Sequence, residues 1–125
     1  MNTSDKKVLL VEDDQSIREL YAMALIKAGL GILMAQDGDQ GVRLALTHHP
    51  DLVLLDIDMP IMNGYEAAAA IRKDSWGATV PIIFLTNRAD PRDKAHASVQ
   101  LPERFITKAE VPVREVVDQV LKAVA

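Results

Sequence analysis

Five short apolar runs punctuate the chain. They are Val8-Leu9-Leu10-Val11, Ile32-Leu33-Met34-Ala35, Leu52-Val53-Leu54-Leu55, Ile82-Ile83-Phe84-Leu85 and the weaker Phe105-Ile106-Thr107. Unbroken runs of this length suit strands buried on both faces, as in a parallel sheet. Their starts lie 24, 20, 30 and 23 residues apart. Each interval holds one helix and two short loops, the requirement of a parallel crossover.

The intervals read as helices. Ile17, Leu20, Ala24, Leu25 and Ala28 repeat with helical spacing until Gly29 and Gly31 end the pattern. Val42, Ala45 and Leu46 repeat it after Asp37-Gly38, and residues 64–73 form an Ala-rich helix. Asp90-Pro91 predicts the start of a short fourth helix, with Asp as cap and Pro at the first helical position. Pro112 opens the last helix, where Val113, Val116, Val117, Val120, Leu121 and Val124 make the clearest stripe. Strict alternation of strand and helix predicts an α/β fold: a doubly wound, five-stranded parallel sheet with helices on both faces. The first six or so residues are expected to fray.

Composition narrows the chemistry. The 125 residues suit a single domain spanning 1–125. The absence of cysteine excludes disulfides, thiol nucleophiles and zinc-thiolate sites. A net charge of −4 argues against electrostatically driven binding of nucleic acid or an anionic membrane. No run reaches the length of a membrane span and no signal peptide fits the polar N-terminus, so a cytoplasmic domain is expected.

The residues that follow the apolar runs carry the chemistry. Glu12-Asp13-Asp14 follows the first, Asp56 the third, Thr86 the fourth and Lys108 the fifth. In a parallel sheet all strand C-termini share one rim, where open α/β sheets bind their ligands. Glu12, Asp13 and Asp56 would therefore crowd three negative charges together and raise one another's pKa. A hard divalent cation relieves this, and an all-carboxylate set favours Mg²⁺. A nearby Lys and Thr suit the oxygens of a phosphoryl group. Asp56 is then a nucleophile able to form an acyl phosphate.

With those residues placed, the chain resembles the receiver domain of two-component response regulators. The resemblance rests on Val8 to Asp14, on Asp51-Leu52-Val53-Leu54-Leu55-Asp56-Ile57-Asp58-Met59-Pro60-Ile61-Met62-Asn63-Gly64, on Pro81 to Thr86, and on Phe105 to Lys108. It implies a flavodoxin-like (βα)5 fold with strand order 2-1-3-4-5. It implies that Asp56 accepts a phosphoryl group from a histidine kinase or histidine phosphotransfer protein. Glu12 and Asp13 form the acidic pair for Mg²⁺, with Asp13, Asp56 and the backbone carbonyl of Asp58 as its ligands. Lys108 pairs with the phosphoryl group. Thr86 and Phe105 are the switch residues. Readout passes through the face of the fourth helix, fifth strand and last helix. The pattern fills nearly the whole chain, so a stand-alone regulator is expected, not an enzyme beyond its own phosphotransfer and slow autodephosphorylation. Asp14 is left to cap the first helix.

The chain also departs from the family pattern. Ala109 stands where proline usually follows the lysine, so a trans Lys108–Ala109 bond is expected. Asn87 and Arg88 follow Thr86 and, with Asp58, should flank the site mouth, where Arg88 and Asp58 could slow attack by water. Two other readings remain. One is a receiver-like scaffold that is not phosphorylated. The other is a phosphohydrolase with an aspartyl nucleophile, against which Pro60 stands where that class places threonine. Taken singly, Asp56 suits a capping role and Phe105 a core position. His48 and His49, being adjacent, point to different helix faces and are expected at the solvated end of the second helix.

Overall fold

A computed structural model describes residues 5–87 and 104–125. Among these, the strands are β1 (Lys7–Val11), β2 (Gly31–Ala35), β3 (Leu52–Asp56), β4 (Ile82–Thr86) and β5 (Arg104–Thr107). The helices are α1 (Gln15–Lys27), α2 (Gly38–His48), α3 (Gly64–Lys73) and a C-terminal helix (Val113–Val124), with a 3-10 turn at Trp76–Ala78. The segment opened by Asp90-Pro91 lies outside the described residues, as does Arg88.

All strand pairs are parallel, in the order β2-β1-β3-β4-β5. The predicted doubly wound, flavodoxin-like sheet is therefore the observed one. β3 and β4 are buried along their whole length, which explains why their sequences are continuous rather than alternating. Side chains of alternate parity feed two cores. Leu9, Val11, Val53, Leu55 and Phe84 pack toward α2 and α3. Leu10, Leu54, Leu85 and Ile106 pack with Tyr21, Leu25, Val116 and Val120 of α1 and the C-terminal helix.

Each helix starts just beyond the sheet rim and is capped there by a polar residue or opened by proline. Asp14 Oδ1 accepts from Ile17 N at 3.0 Å, as the sequence predicts. Asp37 does the same for Gln40 N at 2.7 Å. Asn63 and Glu66 form a reciprocal capping box at 2.9 and 3.0 Å. Pro112 stands before the C-terminal helix.

One prediction needs correcting. The apolar stripe expected on α1 included Leu20 and Leu25; Leu25 is buried, yet Leu20 is 55% exposed and Tyr21 and Ala22 are buried in its place. The tyrosine ring supplies the burial that a count of aliphatic residues assigns to Leu20, and the helix is rotated accordingly. His48 and His49 are exposed as expected, but His49 also stacks on Trp76 with ring centroids 4.5 Å apart. Backbone register there follows from His49, whose left-handed φ of 49° ends α2.

Candidate functional site

The rim at the strand C-termini gathers residues from three strands. Glu12 follows β1, Asp56 ends β3 and Lys108 follows β5. Glu12 and Asp56 are almost fully buried, at 1% and 2% exposure, whereas Asp13 is exposed. Glu12, Asp13 and Asp56 each present a carboxylate oxygen, and these oxygens all lie within 4.8 Å of one another. Among the described residues no sulfur or imidazole joins them, and this donor set fits a hard divalent cation such as Mg²⁺.

Lys108 supplies the opposing charge. Its Nζ donates to Glu12 Oε1 at 2.5 Å and lies 3.3 Å from Asp56 Oδ1. The backbone N–H of Asp58 also donates to Asp56 Oδ1, at 3.2 Å. The other oxygen of Glu12 accepts from Asp14 N at 3.1 Å, which fixes the carboxylate in the turn.

One buried ammonium thus faces two buried carboxylates. Asp56 carries the imbalance: burial first, then the charge of Glu12, push its pKa up to about 7, against the lowering effect of Lys108. For Lys108, burial pulls the pKa down, but the hydrogen bond to Glu12 and the charges of Asp56 and Glu12 outweigh it, leaving the ammonium above its ordinary value.

The remaining predicted residues surround this centre. Thr86 is buried at the end of β4, and its carbonyl accepts from Lys108 N at 2.8 Å, so the loop carrying Lys108 is tied to β4. No cis peptide bond occurs among the described residues, so Lys108–Ala109 is trans, as expected, and the lysine still reaches the acids. Phe105 is half-buried and packs on Phe84 with centroids 5.3 Å apart. Asp58 and Asn87 are exposed at the site mouth.

Two contributors escaped the sequence reading. Arg18 Nη1 donates to the Glu12 carbonyl at 2.7 Å, anchoring the turn to α1. Tyr21 is buried between α1 and the site; burial raises its phenol's pKa, Lys108 lowers it, and Glu12 and Asp56 raise it. With Ile17, Leu20, Asn87, Lys108 and Val113 it lines a cavity of about 520 Å³ that meets the site at Lys108. The signal for Arg18 was its position four residues after the cap Asp14, where α1 turns it back over the β1–α1 loop.

Residues 8–120 match the family model for the response regulator receiver domain. Protein PilH of Pseudomonas aeruginosa is 35% identical over 104 residues, covering 82% of this chain and 84% of PilH. The chemotaxis protein CheY4 of Vibrio cholerae superposes with a TM-score of 0.88 at 27% identity, over 94% of this chain and 98% of CheY4. The receiver domain of a Pseudomonas aeruginosa sensor histidine kinase, solved with a magnesium ion coordinated in its active-site cleft, gives 0.85 at 28% identity, covering 95% and 97%. The chain spans only 42% of the length of the Bacillus subtilis transcriptional regulatory protein YrkP and 51% of the Pseudomonas aeruginosa regulator PhoB. No helix among the described residues is long and apolar enough to cross a membrane. The rim of acids with its opposing lysine, the strand order and the matched sequence agree: this chain belongs to the response regulator receiver domains of two-component signalling.

Proposed function

We propose that this chain is a phosphorylation-activated switch in which Asp56 takes a phosphoryl group from a phosphohistidine on a histidine kinase or histidine phosphotransfer protein. The observation that carries the reading is the approach of Lys108 to both Glu12 and Asp56, beside the exposed Asp13. An Asp56 carboxylate oxygen attacks phosphorus. The P–N bond breaks, its electron pair returns to the imidazole, and an acyl phosphate is left on Asp56. Asp13, Asp56 and the Asp58 carbonyl would hold Mg²⁺, with Glu12 completing the acidic pair. Bound there, the ion offsets carboxylate charge and stabilises charge on the phosphoryl oxygens.

Lys108 turns from Glu12 to the phosphoryl group as its partner charge grows. Thr86 donates its hydroxyl to a phosphoryl oxygen, and Phe105 turns inward behind it. Readout passes through the face of β5, the C-terminal helix and the segment opened by Asp90-Pro91. Asp58 and Asn87 at the mouth, with Arg88 next in sequence, set how fast water removes the phosphoryl group. A cytoplasmic location suits a kinase donor.

The test is incubation with Mg²⁺ and acetyl phosphate or candidate kinases, read by intact mass. Wild type gains one phosphate and Asp56→Asn gains none. Equal behaviour of the two proteins overturns the reading.

A further inference from the structure

Among the described residues β2 is an edge strand of the sheet. Its sequence, Gly31-Ile32-Leu33-Met34-Ala35, holds no charge and no proline, the devices that usually keep exposed edges apart. In a parallel ladder alternate residues bond to the same neighbour. Gly31 N donates to Lys6 O at 2.9 Å, and Ala35 O accepts from Glu12 N at 3.1 Å, so the odd-numbered residues face β1. The backbone N–H and C=O groups of Ile32 and Met34 therefore point away from the sheet. The edge is closed just outside them. Leu30 N is taken by Leu25 O at 3.2 Å, and Gln36 N by Gln40 Oε1 at 2.9 Å.

We infer that β2 pairs antiparallel with β2 of a second copy of this chain, about a twofold axis through Leu33. Two outward residues placed symmetrically about a central one make the edge complementary to itself. Ile32 of one copy exchanges both backbone hydrogen bonds with Met34 of the other, and the reverse, giving four bonds in a closed dimer. Backbone groups without a partner among the described residues specify an extended strand as occupant rather than a helix. The side chains agree. Ile32 and Met34 meet each other's counterparts on the α1 face of the sheet, and Leu33 meets Leu33 on the α2 face. Met34 is 48% exposed, so apolar surface on the strand itself is available to be covered. The pairing uses neither Asp56 nor the C-terminal helix, so it holds whether or not the chain is phosphorylated.

Sedimentation velocity across 5–500 μM tests this, with backbone amide exchange measured at both ends of the range. Wild type is expected to move from monomer to dimer, with the Ile32 and Met34 amides gaining at least tenfold protection. Met34→Lys is expected to remain monomeric with its melting curve unchanged, because the side chain already reaches solvent. Asp56→Asn is expected to dimerise as wild type does. A monomer at every concentration overturns the inference. So does a dimer that survives Met34→Lys, or one that leaves the Ile32 and Met34 amides unprotected.

Discussion

Lys108 is bound to Glu12 more closely than to Asp56, at 2.5 Å against 3.3 Å. The lysine therefore neutralises chiefly Glu12, not Asp56, the proposed phosphoacceptor. Removing it strands a buried Glu12 carboxylate. Lys108→Met is expected to lose about 3 kcal/mol of stability in urea unfolding at neutral pH. Adding Glu12→Gln to it should restore most of that loss, because the unpaired charge goes with it. A double variant no more stable than the single one would assign the loss to packing instead.

The proton on Asp56 sets a pH dependence. In the metal-free protein the Asp56 carboxyl is raised from 3.8 to about 7, chiefly by burial and by Glu12. The folded state then holds a proton that the unfolded state releases. Metal-free stability is accordingly present at low pH and declines as pH rises from about 4 to about 7. Asp56→Asn removes that decline, and urea unfolding at pH 5 and pH 8 should show it.

The same proton competes with metal. Apparent Mg²⁺ affinity is expected to rise about tenfold per pH unit below pH 7 and to level off above it. Calorimetry at pH 6 in buffers of different ionisation enthalpy should report about one proton released per ion bound. Release of none would separate Asp56 from the binding site.

Gly64 lies where α3 meets the end of β3. A Cβ there would stand 2.5 Å from the Asp56 carbonyl oxygen and 2.7 Å from Ile57 Cα. Both are backbone atoms and cannot give way cheaply. Gly64→Ala is expected to cost about 2 kcal/mol and to slow phosphorylation of Asp56 by displacing its strand end. Urea unfolding and a time course with acetyl phosphate measure the two effects.

Ile61 shows the opposite situation. It is fully exposed, yet holds a left-handed φ of 70°, a conformation that β-branched side chains resist. Nothing is gained from its apolar side chain in solvent. Ile61→Asn is expected to add about 1 kcal/mol of stability.

The fold was legible because burial on both faces leaves continuous apolar strands, and because each helix start carries its own polar signal. Pro112 marks the start of the last helix by local chemistry alone, and the family register leaves Asp14 to cap α1. The site was legible for the same reason: Glu12, Asp56 and Lys108 are the polar residues at the ends of the runs. What sequence left hidden depends on three-dimensional neighbours. The rotation of α1 depends on Tyr21 filling the interface, and the tie from Arg18 to the Glu12 carbonyl depends on helix direction. The His49–Trp76 stack joins residues from separate loops, which no local pattern announces. The preference of Lys108 for Glu12 over Asp56 is a matter of tenths of an ångström set by the whole rim.

Three rings form a continuous line across the sheet. Tyr65 at the start of α3 lies 5.3 Å from Phe84 on β4, and Phe84 lies 5.3 Å from Phe105 on β5. In a chain with only five aromatic residues, three stand in this line. Any turn of the Phe105 ring changes the magnetic environment of Phe84, and Phe84 lies in turn against Tyr65. The molecule thus carries its own spectroscopic gauge: the ring proton resonances of Phe84 register events at β5 without any label being added.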